Sequence, residues 1–245
     1  MEEPEFFDMI FYLLRFPVQV QPYFWLMAAI LGFTSTPQTD PMLVPKVLIY
    51  IAVVFVSVLW HELGHALFMR RYGANAEIVL HGMGGYAIPD RTPGSRFKEF
   101  MITFMGPGFG FLLGGAIWLL ARFTPVEQSE LGWFTVQALL FVNIAWSLMN
   151  LLPVLPMDGG RIMETLMGRQ RKVLVCQIGM VVSGGIVIWA LTTRNYFLAL
   201  LFASFAHSNY QTQKQLKANP RRRRPGDESF IIRRNDDDPD WWKRG

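Results

Sequence analysis

The stretch Val47-Leu-Ile-Tyr-Ile-Ala-Val-Val-Phe-Val-Ser-Val-Leu-Trp60-His61-Glu62-Leu63-Gly64-His65 decides how this chain is built. An almost unbroken apolar run, of the kind that forms a membrane helix, continues directly into two histidines and a carboxylate. An ionisable side chain near the middle of such a helix costs roughly 2.5–3.5 kcal/mol on insertion scales. Three together need a compensating interaction, and a shared metal ion is the simplest. Four residues on a helix advance by about 400°, which brings His61 and His65 onto one face about one turn apart, within reach of a single cation. Glu62 lies about 100° around from His61, beside that cation rather than on it.

This is the HExxH arrangement of zinc enzymes, in which two histidines hold zinc and the glutamate is a general base. Gly64 weakens the helix but leaves room for another backbone. The five-residue pattern recurs by chance in soluble chains. Chance does not explain it inside an apolar run, where each charge is costly.

The composition, 245 residues of which 51% are hydrophobic and 14% aromatic, is that of a polytopic membrane protein with one compact bundle. The formal charge of +4 is concentrated in a few loops and in the tail after Lys214. It reads as a topology signal, with the lipid bilayer as partner and no nucleic acid. The single cysteine, Cys176, has no partner for an intrachain disulfide and reads as a small buried hydrophobe. The opening Met-Glu-Glu-Pro-Glu lacks the basic start of a signal peptide, so the first apolar segment is expected to be retained.

Six membrane helices are expected. An interfacial helix over Phe6 to Phe16 precedes a short first span, Pro22 to Phe33. Later spans cover Val47 to Arg70, Phe100 to Ala121, Trp133 to Leu152, Val173 to Leu191 and Tyr196 to Ala206. Arg70, Arg71, Arg91, Arg96 and Lys98 follow the second span, and Arg161, Arg169, Arg171 and Lys172 follow the fourth. The positive-inside rule makes these loops and the tail cytoplasmic, with both termini inside and the histidine motif toward the cytoplasmic face of a cell inner membrane. The opposite loops carry Lys46, Arg122 and Arg194 beside Glu127 and Glu130. Residues 1–210 form the membrane domain, and the basic segment 211–245, with Arg221 to Arg224, is expected to be disordered. Ala76 to Pro89, two apolar runs around a glycine cluster, reads as a β-hairpin or re-entrant loop lining the cavity near His65. Gly84 and Gly85 lie in that cluster and are candidate substrate-binding positions.

A catalytic zinc site normally takes three protein ligands. The polar residues able to fold back are His81, His207, Glu164 and Asp158. Asp158 stands out because Asn150-Leu-Leu-Pro153-Val-Leu-Pro156-Met-Asp158-Gly159-Gly160 breaks a helix at two prolines and turns on glycines. His81 and His207 read as interfacial histidines, and Glu164 as a water-facing residue of an amphipathic segment.

With these residues the chain resembles the site-2 protease family of intramembrane zinc metalloproteases, in a compact form without PDZ or CBS domains. The resemblance rests on His61-Glu62-Leu63-Gly64-His65, on Asn150 to Gly159, and on Gly106-Pro107-Gly108-Phe109-Gly110 in the helix between. It implies that His61, His65 and Asp158 bind one zinc ion, that Glu62 is the catalytic base, and that Asn150 contacts substrate or orients the site. One departure is Pro156, three residues after Pro153 where the familiar pattern has two. The resemblance further implies a membrane-anchored substrate, such as an anti-sigma or pro-sigma factor.

Asn143, Ser147 and Asn150 recur at helical spacing, as a polar stripe facing the site or as glue between helices. A substrate helix must unwind before attack, and the 78–87 hairpin offers backbone partners by strand addition. Two other readings compete. A metal-binding transporter or scaffold has no need of a base that is not a ligand, and a protease of prenylated C-termini leaves Asn150 to Gly159 without a purpose.

Overall fold

The computed structural model describes residues 8–91 and 94–218, without the side chains of Glu127 and Arg169. Leu14 and Arg15 take positive φ, 49° and 70°, and reverse the chain between β1 (Met9–Leu13) and β2 (Phe16–Val20). Two positive φ values in a two-residue turn give the type I′ geometry that suits a hairpin. Arg70 braces this turn, donating to the Leu14 carbonyl at 2.7 Å and lying 4.4 Å over the Phe16 ring. The interfacial helix expected over Phe6 to Phe16 is thus a hairpin from Met9 onward.

The chain then forms α1 (Pro22–Ser35), α2 (Leu43–Arg71), β3 (Ala76–His81), β4 (Gly84–Pro89), α3 (Arg96–Ala121), α4 (Glu130–Asn150), α5 (Asp158–Met167), α6 (Lys172–Thr192) and α7 (Tyr196–Ala218). The strands make one sheet in the order β1-β2-β3-β4. β3 and β4 are an antiparallel hairpin with Leu80 opposite Gly85. β2 and β3 pair in parallel, Val18 opposite Ile78, after a crossover through α1 and α2. Val18, Val20, Ile78 and Leu80 are fully buried at alternate positions, so one sheet face packs into the core beside α2.

Four helices, α2, α3, α4 and α6, are long and apolar enough to cross a membrane, making this a multi-pass membrane protein of mostly helical build with a small sheet. The 14-residue α1 and α7 fall outside that set. At 1.5 Å per residue α1 reaches about 21 Å, short of a ~30 Å hydrocarbon core. α7 turns polar along Gln211, Gln213, Lys214 and Lys217. It joins the stretch expected as a sixth span to the first residues of the expected tail in one helix, with Asn209, Gln213 and Leu216 buried on it. The remainder of that tail, including Arg221 to Arg224, lies outside the described residues.

Lys46 fixes the relative direction of the helices. Its ammonium donates to Asp40 at 2.5 Å and to Glu130 at 2.6 Å, so the N-termini of α2 and α4 stand at one level. The two helices run parallel, and α3 returns between them.

Candidate metal centre

Glycine decides how near α3 comes to the histidines. A Cβ on Gly64 would strike the Met105 carbonyl and the Phe109 ring, so α2 and α3 meet backbone to backbone. One on Gly106 would overlap the Nε2 atoms of both His65 and His61. The Trp60 indole donates to the Phe109 carbonyl at 3.0 Å, a second tie across this contact. Pro107 stands inside α3 beside Gly106, and neither residue has a side chain able to hydrogen-bond in the site.

The third ligand candidate arrives from the other side. After α4 the chain runs irregularly to Met157, whose extended backbone opens α5 at Asp158. Gly159 lies against the carbonyls of Leu151 and Leu152, and Gly160 against Val154, so α5 begins tucked beneath the end of α4. Asp158 Oδ2 stands 3.1 Å from His61 Nε2 and 3.4 Å from His65 Nε2. The three candidate ligand atoms lie within 4.8 Å of one another. His61, Glu62, His65 and Asp158 are all buried.

His65 Nδ1 donates to the Ile102 carbonyl at 2.8 Å, which places the ring proton there and turns the Nε2 lone pair toward the cluster. Two imidazole nitrogens and one carboxylate oxygen converging in this way are a three-ligand set that fits zinc with a fourth position open. The Gly106 surface, which any side chain would fill, fits it too.

Glu62 points to the sheet rather than into the ligand cluster. A Cβ on Gly85 would come 2.7 Å from Glu62 Cγ and 3.0 Å from Oε1, so only glycine leaves space for this carboxylate. Gly84 has φ +132°, which disfavours any other residue, and it lies under the Trp146 ring. Asn150 is half-buried and donates to the Trp146 carbonyl of its own helix at 3.1 Å. Asn143 donates to Ser57 Oγ at 2.8 Å, joining α4 to α2, and Ser147 sits against Gly110. Of the polar stripe, Asn143 is helix glue.

The other titratable candidates lie elsewhere. His81 accepts from the Met83 amide and packs on Tyr86, and burial holds its pKa below the ordinary value. His207 is paired with Gln211 at 2.6 Å. Glu164, expected to face water, is largely covered and bonds Lys172 at 3.0 Å. Sequence reasoning did not find the Ile102 carbonyl, since every residue carries one. It also missed the Trp60 indole, whose place beside the motif was the available sign.

The sequence profile of Peptidase family M50 matches residues 49–132 and 124–191. A zinc metalloprotease of Methanocaldococcus jannaschii is 30% identical over 155 residues, covering 61% of this chain and 44% of its own. Stage IV sporulation protein FB of Bacillus subtilis is 28% identical over 165 residues, covering 62% of this chain and 48% of its own. The chain therefore spans about half the length of these relatives. A solved site-2 protease from Methanocaldococcus jannaschii superposes with a TM-score of 0.59 at 22% identity, over 84% of this chain and 95% of that one, and so shares the fold.

Proposed function

Since this chain belongs to peptidase family M50, whose profile covers more than half of it, we propose that it is a zinc-dependent intramembrane endopeptidase acting on membrane-anchored proteins. The observation that carries this reading is the convergence of His61 Nε2, His65 Nε2 and Asp158 Oδ2 beside a buried Glu62 that is not among them. A transporter or scaffold has use for the three ligands but none for the fourth group.

His61, His65 and Asp158 hold the ion. Zinc supplies Lewis acidity toward a carbonyl oxygen and toward water. Glu62 takes a proton from the attacking water and returns it to the leaving amine, a role that general acid–base groups fill for a gain of about 10²–10⁴. The His65–Ile102 bond keeps one imidazole from turning during this cycle. Asn150, at the end of α4, contacts the substrate backbone.

A substrate helix must be opened before its carbonyl is accessible. Among the described residues β4 pairs with β3 alone, and its outer edge accepts an unwound segment by strand addition. Gly85 brings that strand against Glu62, with Gly84 beside it under Trp146, so a docked peptide bond would lie next to the base. The charge pattern supports a site toward the cytoplasmic side of a cell inner membrane with both termini cytoplasmic, which requires α1 and α7 to cross as well, the short α1 by local thinning of the bilayer. The product is then a soluble cytoplasmic fragment. The resemblance to the site-2 protease family suggests a signalling substrate such as an anti-sigma or pro-sigma factor.

The test pairs zinc content with cleavage of a model single-span substrate for wild type, Glu62→Gln and Asp158→Asn. Glu62→Gln should keep zinc and lose cleavage by a factor of at least about 10², while Asp158→Asn should lose much of both. Cleavage surviving in Glu62→Gln would remove the base from the mechanism. Wild-type protein that carries zinc and cleaves nothing would favour the scaffold reading.

A further inference from the structure

We propose that Asn209, on α7 and beyond the residues matched by the family profile, is a positioning residue for the metal centre, acting through the backbone that carries Asp158. This rests on the reading of His61, His65 and Asp158 as a metal site. Asn209 is 1% exposed in a helix that otherwise turns polar toward its end. Its Nδ2 donates one hydrogen to Phe205 O in its own helix at 2.8 Å and the other to Leu155 O at 2.6 Å. Leu155 lies three residues before Asp158, inside the irregular segment between α4 and α5.

That segment needs outside partners. Pro153 and Pro156 supply no N–H, and backbone away from a helix at membrane depth persists only where its polar groups are satisfied by protein or water. Val154 N donates to Leu152 O and Met157 N to Val154 O, which shapes the turn but ties it to nothing else. Gly159 lies against Leu151 and Leu152, just past α4, and Gly160 against the Val154–Leu155 backbone. On the side toward α6 and α7, the Asn209 amide makes a directional contact with it. The space for that amide comes from α6, where a Cβ on Gly179 would stand 2.9 Å from Asn209 Oδ1 and 3.5 Å from Val154 Cα. Val154 and Met157 of the segment pack with Phe202 of α7 in a small buried cluster. Dispersion contacts of this kind fill volume without setting a position along the chain, whereas a hydrogen bond at 2.6 Å fixes the Leu155 carbonyl and, three residues on, the carboxylate 3.1 and 3.4 Å from the two imidazoles.

The experiment uses the full chain in detergent or nanodiscs, stripped of metal and titrated with cobalt(II) and then with zinc, the d–d absorption band of cobalt reporting ligand geometry. Asn209→Leu keeps the volume and removes the donor. Ala199→Gly loosens α7 far from Leu155 and serves as a control for general destabilisation. Asn209→Leu should bind zinc about tenfold or more weakly, as outer-shell substitutions do, with a changed cobalt band. Ala199→Gly should melt lower with affinity and band unchanged. Asn209→Ala gives the same comparison should the leucine variant not accumulate. An Asn209 variant that melts lower but matches wild type in zinc affinity and cobalt band would overturn the positioning role alone. Wild type that takes up neither metal would overturn the metal reading, and this role with it.

Discussion

The α2–α3–α4 bundle and the α6–α7 hairpin achieve closeness by different means. In the bundle, Gly64, Gly106 and Gly110 stand where a Cβ would collide with the Met105 carbonyl, the imidazoles and Ser147. In the hairpin, a Cβ on Gly179 would press on the Asn209 side chain alone at 2.9 Å, and Gly184 and Gly185 have nothing within 4 Å of such a Cβ. α6 and α7 pack chiefly on each other, and they meet the rest of the protein through α5 and the loop before it. The bundle therefore fixes the two imidazoles sterically, and the loop between the two regions sets the carboxylate.

The largest contrast should come from one substitution made in both regions. Gly106→Ala drives a methyl group into both Nε2 atoms, and zinc per chain should fall at least about tenfold with cleavage undetectable, since even outer-shell changes cost 10–100-fold. Gly184→Ala in α6 should retain zinc and cleavage and gain about 0.5–1 kcal/mol of stability from lost backbone freedom. Equal metal content in the two variants would erase the distinction between the regions.

Gly64→Ala tests the same steric argument one step from the ligands. Parting α2 from α3 should cost about 1–3 kcal/mol, read as a lower melting temperature with partial zinc loss. Trp60→Phe keeps the ring and removes the donor to Phe109 O, and about 1 kcal/mol should be lost with zinc still bound. A Trp60→Phe effect larger than that of Gly64→Ala would shift the weight of the contact from packing to hydrogen bonding.

The smallest effect belongs to the end of the bundle away from the sheet. The hydrogen bond from Lys46, then that from the Met42 amide, holds the Asp40 carboxyl below its ordinary 3.8. A lowered folded-state pKa means stabilisation present in full above the unfolded value and lost as pH falls through the folded one. Melting temperatures should thus decline below about pH 4, and Asp40→Asn should flatten that limb while leaving neutral-pH cleavage unchanged.

What the sequence revealed, and what it concealed, follows from how local each feature is. His61, Glu62 and His65 are read from four residues of helical periodicity, and Asp158 from prolines and glycines that break a helix beside it. The β1–β2 hairpin escaped notice because Leu14 and Arg15 occupy positive φ without the Asn-Gly signature, held there by Arg70 more than fifty residues away. The β2–β3 pairing escaped because a crossover through two helices leaves no periodic trace. The apolar stretch from Tyr196 to Ala206 marked only the start of α7, since the burial of Asn209 and Gln213 depends on contacts that hydropathy does not register. Gly85 was singled out for its glycine neighbours, and only the fold shows Glu62 as the group that occupies the space.

The central claim is that one cation is shared by side chains from two separate segments, α2 and the start of α5. X-ray absorption at the zinc edge of the purified protein tests it most directly. The account predicts one zinc per chain, two imidazole nitrogens at about 2.0–2.1 Å and carboxylate oxygen at about 2.0–2.2 Å, the oxygen shell diminished in Asp158→Ala. Zinc bound with fewer than two imidazoles, or with sulfur at about 2.3 Å, would contradict it.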